Sequence, residues 1–170
     1  MSVSVMRIVS SVVGIVLGGL FVYAGVQKHL APYEFAEAIL AYQLLPVSLV
    51  GVVAATLSWI EIVSGISLIL GCLLRSRRFS NPFPLDGILR RSGLLLILGQ
   101  SLLFIAVLLI TLARGLKIDC GCGLFFQRQV GWESILEDAL LLTVAGWLYW
   151  RECRAGGREE GSLVLVQPKV

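Results

Sequence analysis

The sequence predicts an all-α polytopic membrane protein, an antiparallel bundle of four transmembrane helices with a short interfacial helix on the outer face. Three observations predict it. The 170 residues are 57% hydrophobic and only 15% charged, with a mean hydropathy of +0.88, more apolar surface than a soluble core of this size needs. The apolar residues gather in four runs, each near the ~20 residues that cross a bilayer. The basic residues cluster beside those runs. The formal charge of +3 therefore reads as a positive-inside pattern, and no nucleic-acid partner is expected.

The spans fall at about 6–27, 46–74, 92–113 and 134–150. The first has Arg7 before it and could be mistaken for a signal peptide, but it is too long for an h-region and no A-x-A-like site follows. Ser10, Gly14 and Gly18 recur every four residues and make a small face suited to close helix packing. Lys28-His29 ends this helix. Pro32, tolerated in a first helical turn, opens a short amphipathic helix to Tyr42, with Phe35, Ile39 and Tyr42 on one face; it is too short to span and reads as interfacial.

Pro46 begins the second span. Ala54, Ser58, Glu61, Gly65 and Cys72 share one of its faces, which must meet protein because Glu61 falls near mid-span. Arg75, Arg77 and Arg78 stop the helix, and a polar link with Pro82, Pro84 and Arg90-Arg91 leads to the third span, from Ser92 to Ala113, with Gln100 inside it. Trp132 announces the fourth. Glu133, Glu137 and Asp138 occupy its first turns, where the helix dipole favours acids, and Trp147, Tyr149 and Trp150 form an aromatic belt at its other end. One domain is expected over 1–150, followed by a polar cytoplasmic tail, 151–170, expected to be mostly disordered.

With the amino terminus inside, Arg7, Arg75, Arg77, Arg78, Arg90, Arg91, Arg151, Arg154, Arg158 and Lys169 lie on the inner side. Lys28, Arg114, Lys117 and Arg128 lie outside. Ten of the fourteen basic residues inside predicts a bacterial-type inner membrane protein with both termini cytoplasmic. The interfacial helix and the stretch Asp119-Cys120-Gly121-Cys122-Gly123 then face outward together.

That stretch carries the chemistry. Cys120 and Cys122 face an oxidising compartment, where paired thiols tend to be disulfides. A bridge across one residue closes a tight ring that departs from relaxed geometry, which makes it easier to reduce. Gly121 and Gly123 supply the backbone freedom such a ring needs. Lys117 and Arg114 favour a thiolate and Asp119 opposes it. The other reading is a static staple or two unlinked thiols in a turn; staples usually close longer loops, which favours the redox unit. No metal site is expected, because zinc wants four ligands and wider spacing, and these cysteines with His29 make three at most. Cys72 and Cys153 read as small apolar core or interface residues.

Glu61 is the other candidate catalytic residue, since an ionisable group at bilayer depth marks a functional site by default. It either carries protons or is a hydrogen-bonded acid tying its helix to Gln100 or Ser58. Lys28 is either its partner or an anchor. Electrons from the thiols leave to a membrane quinone or to another redox protein. The sequence carries no cofactor motif of its own.

The chain resembles MauE, the methylamine-utilisation membrane protein, within the DoxX-like group. The resemblance covers about residues 6–150 and rests on Gly25-x-x-Lys28, Tyr42-x-Leu44-Leu45-Pro46, Glu61 with Gly65 and Gly71, and Arg114-Gly115 leading to Asp119-Cys120-Gly121-Cys122-Gly123. It differs where Gly123-Leu124 follows the second cysteine and where Glu137-Asp138 stands early in the fourth span. The resemblance implies a four-helix membrane protein that helps to form disulfides in exported proteins beside a thioredoxin-like partner. It also makes Lys28, His29, Tyr42 and Gln100 candidate substrate or quinone residues. The layout is similar to those of DsbB and vitamin K epoxide reductase, a likeness of architecture that does not by itself assign a reaction. The competing class is a non-catalytic assembly or accessory subunit with structural cysteines.

Overall fold

In hydrocarbon every backbone N–H and C=O must find its partner within its own segment, so long apolar runs become helices. The computed structural model describes residues 3–76, 85–116 and 132–164, which form α1 (Val3–Leu30), α2 (Pro32–Ala41), α3 (Val47–Ser76), α4 (Leu85–Ala113) and α5 (Trp132–Val164). Three stretches are long and apolar enough to cross a membrane: Val5–Leu30, Val47–Arg75 and Leu85–Ala113. The outward faces carry Val12, Val16, Val52, Leu95 and Leu102, while Ser10, Ser58, Ser64, Ser101 and Thr111 are buried. Polar atoms inside and hydrocarbon outside is the arrangement a lipid solvent selects.

The four long helices run antiparallel in chain order. α1 packs most extensively on α3, α3 on α4, and α4 on α5. Along the first seam Gly14 faces Cys72, Gly18 faces Gly65, and Gly25 faces Ser58 and Ile62. The small face expected on α1 is therefore the face that meets α3. A Cβ on Gly65 would stand 2.5 Å from the Gly18 carbonyl oxygen, closer than any side chain tolerates. Gly71 and Gly93 admit α4 to α3 in the same way. Arg151, in the second half of α5, donates to the Met6 carbonyl at 3.2 Å, joining the last long helix to the start of the first. The core between them is Leu17, Phe21, Leu68, Cys72, Leu94, Ile97, Ala145 and Leu148.

Two expectations need correction. The third span does not begin at Ser92: α4 starts at Leu85, so Arg90 and Arg91 are helical, and Arg90 is 1% exposed. It can be buried because Glu152 on α5 lies 2.7 Å from its guanidinium. The tail from residue 151 is not disordered throughout: α5 continues to Val164, and its first turn past 150 contains Glu152, held by both Arg75 and Arg90. α2 turns Phe35 and Ile39 onto Val50 and Ala54 of α3, so that its apolar face meets protein.

The close contact of α1 with α3 generates a test. Gly65→Leu should lower the thermal unfolding midpoint in detergent, losing about 1–3 kcal/mol to overpacking. Gly51→Leu, with open space around it, should stay within about 0.5 kcal/mol of the parent. Equal midpoints for the two would remove the glycine seam from the account of the fold.

Candidate functional site

The seam of α1 continues in helical steps from Gly18 through Phe21 and Gly25 to Lys28, in the last turn. That step carries the Lys28 ammonium inward to Glu61, near the middle of α3, and the two form a buried ion pair. Gly25 makes the approach possible, since a Cβ there would meet the Ser58 carbonyl at 2.8 Å and the Glu61 Cβ at 3.0 Å. The Lys28 ammonium also lies 4.9 Å from the centre of the Phe104 ring and 5.2 Å from that of Phe35, close enough for cation–π attraction in a dry site.

Lys28 is thus the partner of Glu61, and the ties expected to Gln100 or Ser58 are not made. The Ser58 hydroxyl donates to the Ala54 carbonyl at 2.9 Å. Gln100 reaches α3 through Ser64, its Nε2 donating to Ser64 Oγ at 3.2 Å, while Ser64 Oγ donates to the Glu61 carbonyl at 3.0 Å. The cause is chemical: a carboxylate in low dielectric takes a cation within reach before a neutral amide.

A second acid joins this site. Asp138 on α5 is 6% exposed, and the charges of Lys28 and Glu61 both act on it. Glu61 Oε2, Asp138 Oδ2 and Gln100 Oε1 are buried with no hydrogen-bond partner among the described residues, so the cluster holds more acceptors than donors. Sequence reasoning missed Asp138 because its position in a first helical turn had an explanation already. The signal was its spacing: Ser134, Asp138, Ala145, Leu148 and Glu152 are all buried and recur at helical intervals on one face.

Above Lys28, a cavity of about 310 Å³ opens between α2, α3 and α4. Phe35 and Ile39 line it from α2, Val53 and Leu57 from α3, Phe104 and Val107 from α4, with Tyr42 from the turn. Burial, and then the Asp138 carboxylate, push the Tyr42 phenol up to about 12, so it remains neutral. Of the candidate substrate residues, Lys28 and Tyr42 share this cavity. Gln100 lies deeper, beside Ser64. His29 points away, its ring edge-on to Trp59 with centres 5.2 Å apart.

α4 ends next to this site. Gly115 takes φ +68°, its N–H bonds the Leu112 carbonyl at 3.0 Å, and the Leu116 N–H bonds that of Thr111 at 3.3 Å, a Schellman stop that glycine allows. Arg114 donates to the carbonyls of Tyr42 and Gln43 at 3.3 and 3.4 Å. Lys117, Asp119, Cys120, Gly121, Cys122 and Gly123 lie outside the described residues. Cys72 is buried in the core and Cys153 is exposed. Among the described residues no group of His, Cys, Asp and Glu gathers as a metal site requires.

These features define a multi-pass membrane protein whose ionic groups are turned inward, Lys28 with Glu61 and Asp138 in one place and Arg75 and Arg90 with Glu152 in another. The chain belongs to the MauE family: the family model described as methylamine utilisation protein MauE matches residues 6–151. Membership makes it a membrane accessory protein of methylamine utilisation. No curated protein and no solved structure matches the chain.

Removing one member of the buried pair strands the other. Lys28→Met should destabilise the protein by about 3–5 kcal/mol. Lys28→Met with Glu61→Gln should recover much of that loss, because neither charge then remains. Thermal midpoints of the single and double variants, read as a cycle, measure the coupling; strict additivity would mean that the two side chains do not interact.

Proposed function

We propose that this protein acts in the maturation of exported, disulfide-containing proteins, exchanging disulfides at its Cys120-Gly121-Cys122 loop beside a thioredoxin-like partner. The observation that carries the reading is the end of α4. The Schellman stop at Gly115, braced by Arg114 on the turn at Tyr42 and Gln43, ends α4 beside the cavity that Lys28 and Tyr42 line, five residues before Cys120 in the sequence. Membership of the MauE family supports a role in maturation.

In the proposed exchange, a partner thiolate attacks one sulfur of the Cys120–Cys122 disulfide. The other cysteine leaves as a thiolate, and a mixed disulfide forms. A second thiolate of the partner then attacks its own sulfur in that bond, so the partner leaves oxidised and the loop leaves as a dithiol. Two electrons have entered the loop, and an acceptor must remove them with two protons. Glu61 and Asp138 are the buried acids at this end of the bundle, and we assign them the proton traffic.

The same reading includes α5 as the fourth crossing and an inner-membrane site with both termini cytoplasmic, supported by the distribution of basic residues. α2 then lies at the outer boundary of the bilayer. A non-catalytic assembly subunit is the second reading. It is favoured by the mutual neutralisation of Lys28 and Glu61, which ties α1 to α3 as a structural bond does.

Two experiments test the proposal. Cys120→Ser and Cys122→Ser should each abolish exchange and keep the helical content of the parent, and one of them should accumulate a mixed disulfide that mass spectrometry identifies. Wild-type exchange in both variants would sink the redox assignment; loss of fold in both would favour the assembly subunit. In intact cells after mild reduction, an impermeant thiol reagent should label Cys120 and Cys122 and leave Cys153 unlabelled, although Cys153 is exposed on the protein surface. Labelling of Cys153 from outside would reverse the orientation.

A further inference from the structure

The cavity above Lys28 has the character of a ligand site. Its volume of about 310 Å³ lies at the small end of the range of about 300–1,000 Å³ usual for such sites. Among the described residues its walls are almost wholly apolar, and Lys28 is the one charged residue of the lining. Leu103, on the lining, is 49% exposed on the outside of α4, so the cavity reaches the lipid-facing surface of the bundle. A ligand can enter sideways from the membrane, which selects a lipid-soluble molecule.

The polar end of the cavity narrows the chemistry. A fatty-acid carboxylate would be drawn to Lys28 alone, but Glu61 already pairs with that ammonium and Asp138 bears on it. Among the described residues around the ammonium two acids face one base, an arrangement that opposes a further anion. A neutral oxygen acceptor meets no such opposition, and the ammonium has three N–H donors, of which a carboxylate oxygen occupies one. Phe35 and Phe104 set their rings around the same ammonium, and Tyr42 lines the same cavity. Aromatic walls of this kind favour a flat ring in offset or edge-on contact.

We infer that the cavity between α2, α3 and α4 binds the head ring of a lipid-soluble quinone, with a ring carbonyl accepting a hydrogen bond from Lys28 and the ring held among Phe35, Phe104 and Tyr42. This deepens the proposed function, because a quinone taking up two electrons and two protons to become a quinol is an acceptor of the stoichiometry that exchange requires. Binding is independent of the cysteines, so the two ideas fail separately.

The test is photolabelling of the purified full-length protein in nanodiscs with an azido-benzoquinone bearing a ten-carbon chain, followed by peptide mapping. Label is expected on the α2 and α4 peptides that contain Phe35 and Phe104, displaced by unlabelled decyl-benzoquinone and not by decanoate or by added phosphatidylglycerol. Val107→Trp, which fills the cavity, should abolish labelling while the thermal midpoint holds. Phe104→Leu, which removes the ring and keeps the bulk, should weaken binding by roughly tenfold. Displacement by decanoate or phospholipid as effective as that by the quinone would overturn the inference in favour of an acyl-chain site. Absence of label from the folded parent, or undiminished labelling of folded Val107→Trp, would overturn it as well. Labelling retained in Cys120→Ser and Cys122→Ser upholds the site whether or not exchange itself is found.

Discussion

The bundle depends on a cation and an anion that can be inside it only together. Lys28 closes α1 and Glu61 occupies the middle of α3, and each is buried almost completely. In low dielectric an isolated charge of either sign is too costly to keep, whereas the pair is tolerated when geometry brings the atoms into contact. Contact requires the backbones of α1 and α3 to approach closely, which Gly18, Gly25 and Gly65 permit. The glycines and the ion pair are therefore one device: the first sets the helix separation and the second uses it.

A second charged group balances the first at the opposite end. Arg75 and Arg90 converge on Glu152, and Arg91 donates to its backbone carbonyl at 3.3 Å. Between the two groups lie Leu17, Phe21, Leu68, Leu94, Ile97, Ala145 and Leu148, an apolar partition. Among the described residues this layer separates the Lys28 group from the Glu152 group.

Much of the fold could be read from the sequence, because lipid makes apolar runs into helices with little competition from other structures. The buried face of α3 and the small face of α1 were legible from spacing alone. What escaped were the partners. Arg90-Arg91 after a proline-containing link reads as the polar lead-in to a span, and only Glu152, far along the chain, makes burial of Arg90 possible. Asp138 and Glu152 could have been found by following the face of α5 that carries Ala145 and Leu148. Lys28 stood among the candidate partners of Glu61, and the crossing of helices that selects it over Gln100 is contained in no local pattern.

The separation of Lys28 and Glu61 by 33 positions has a consequence for biosynthesis. As the chain leaves the ribosome, α1 enters the membrane machinery while α3 is still unmade. Lys28, at the helix end, can then extend its ammonium to the lipid headgroups. Glu61 has no such escape from mid-helix, where a charged residue opposes insertion by about 2.5–3.5 kcal/mol. The strongly apolar α3 can carry that burden, but the waiting ammonium lightens it. A first helix that ends in a cation, joined to the third by the short α2, thus puts a counter-ion within reach of Glu61 before any later helix is needed.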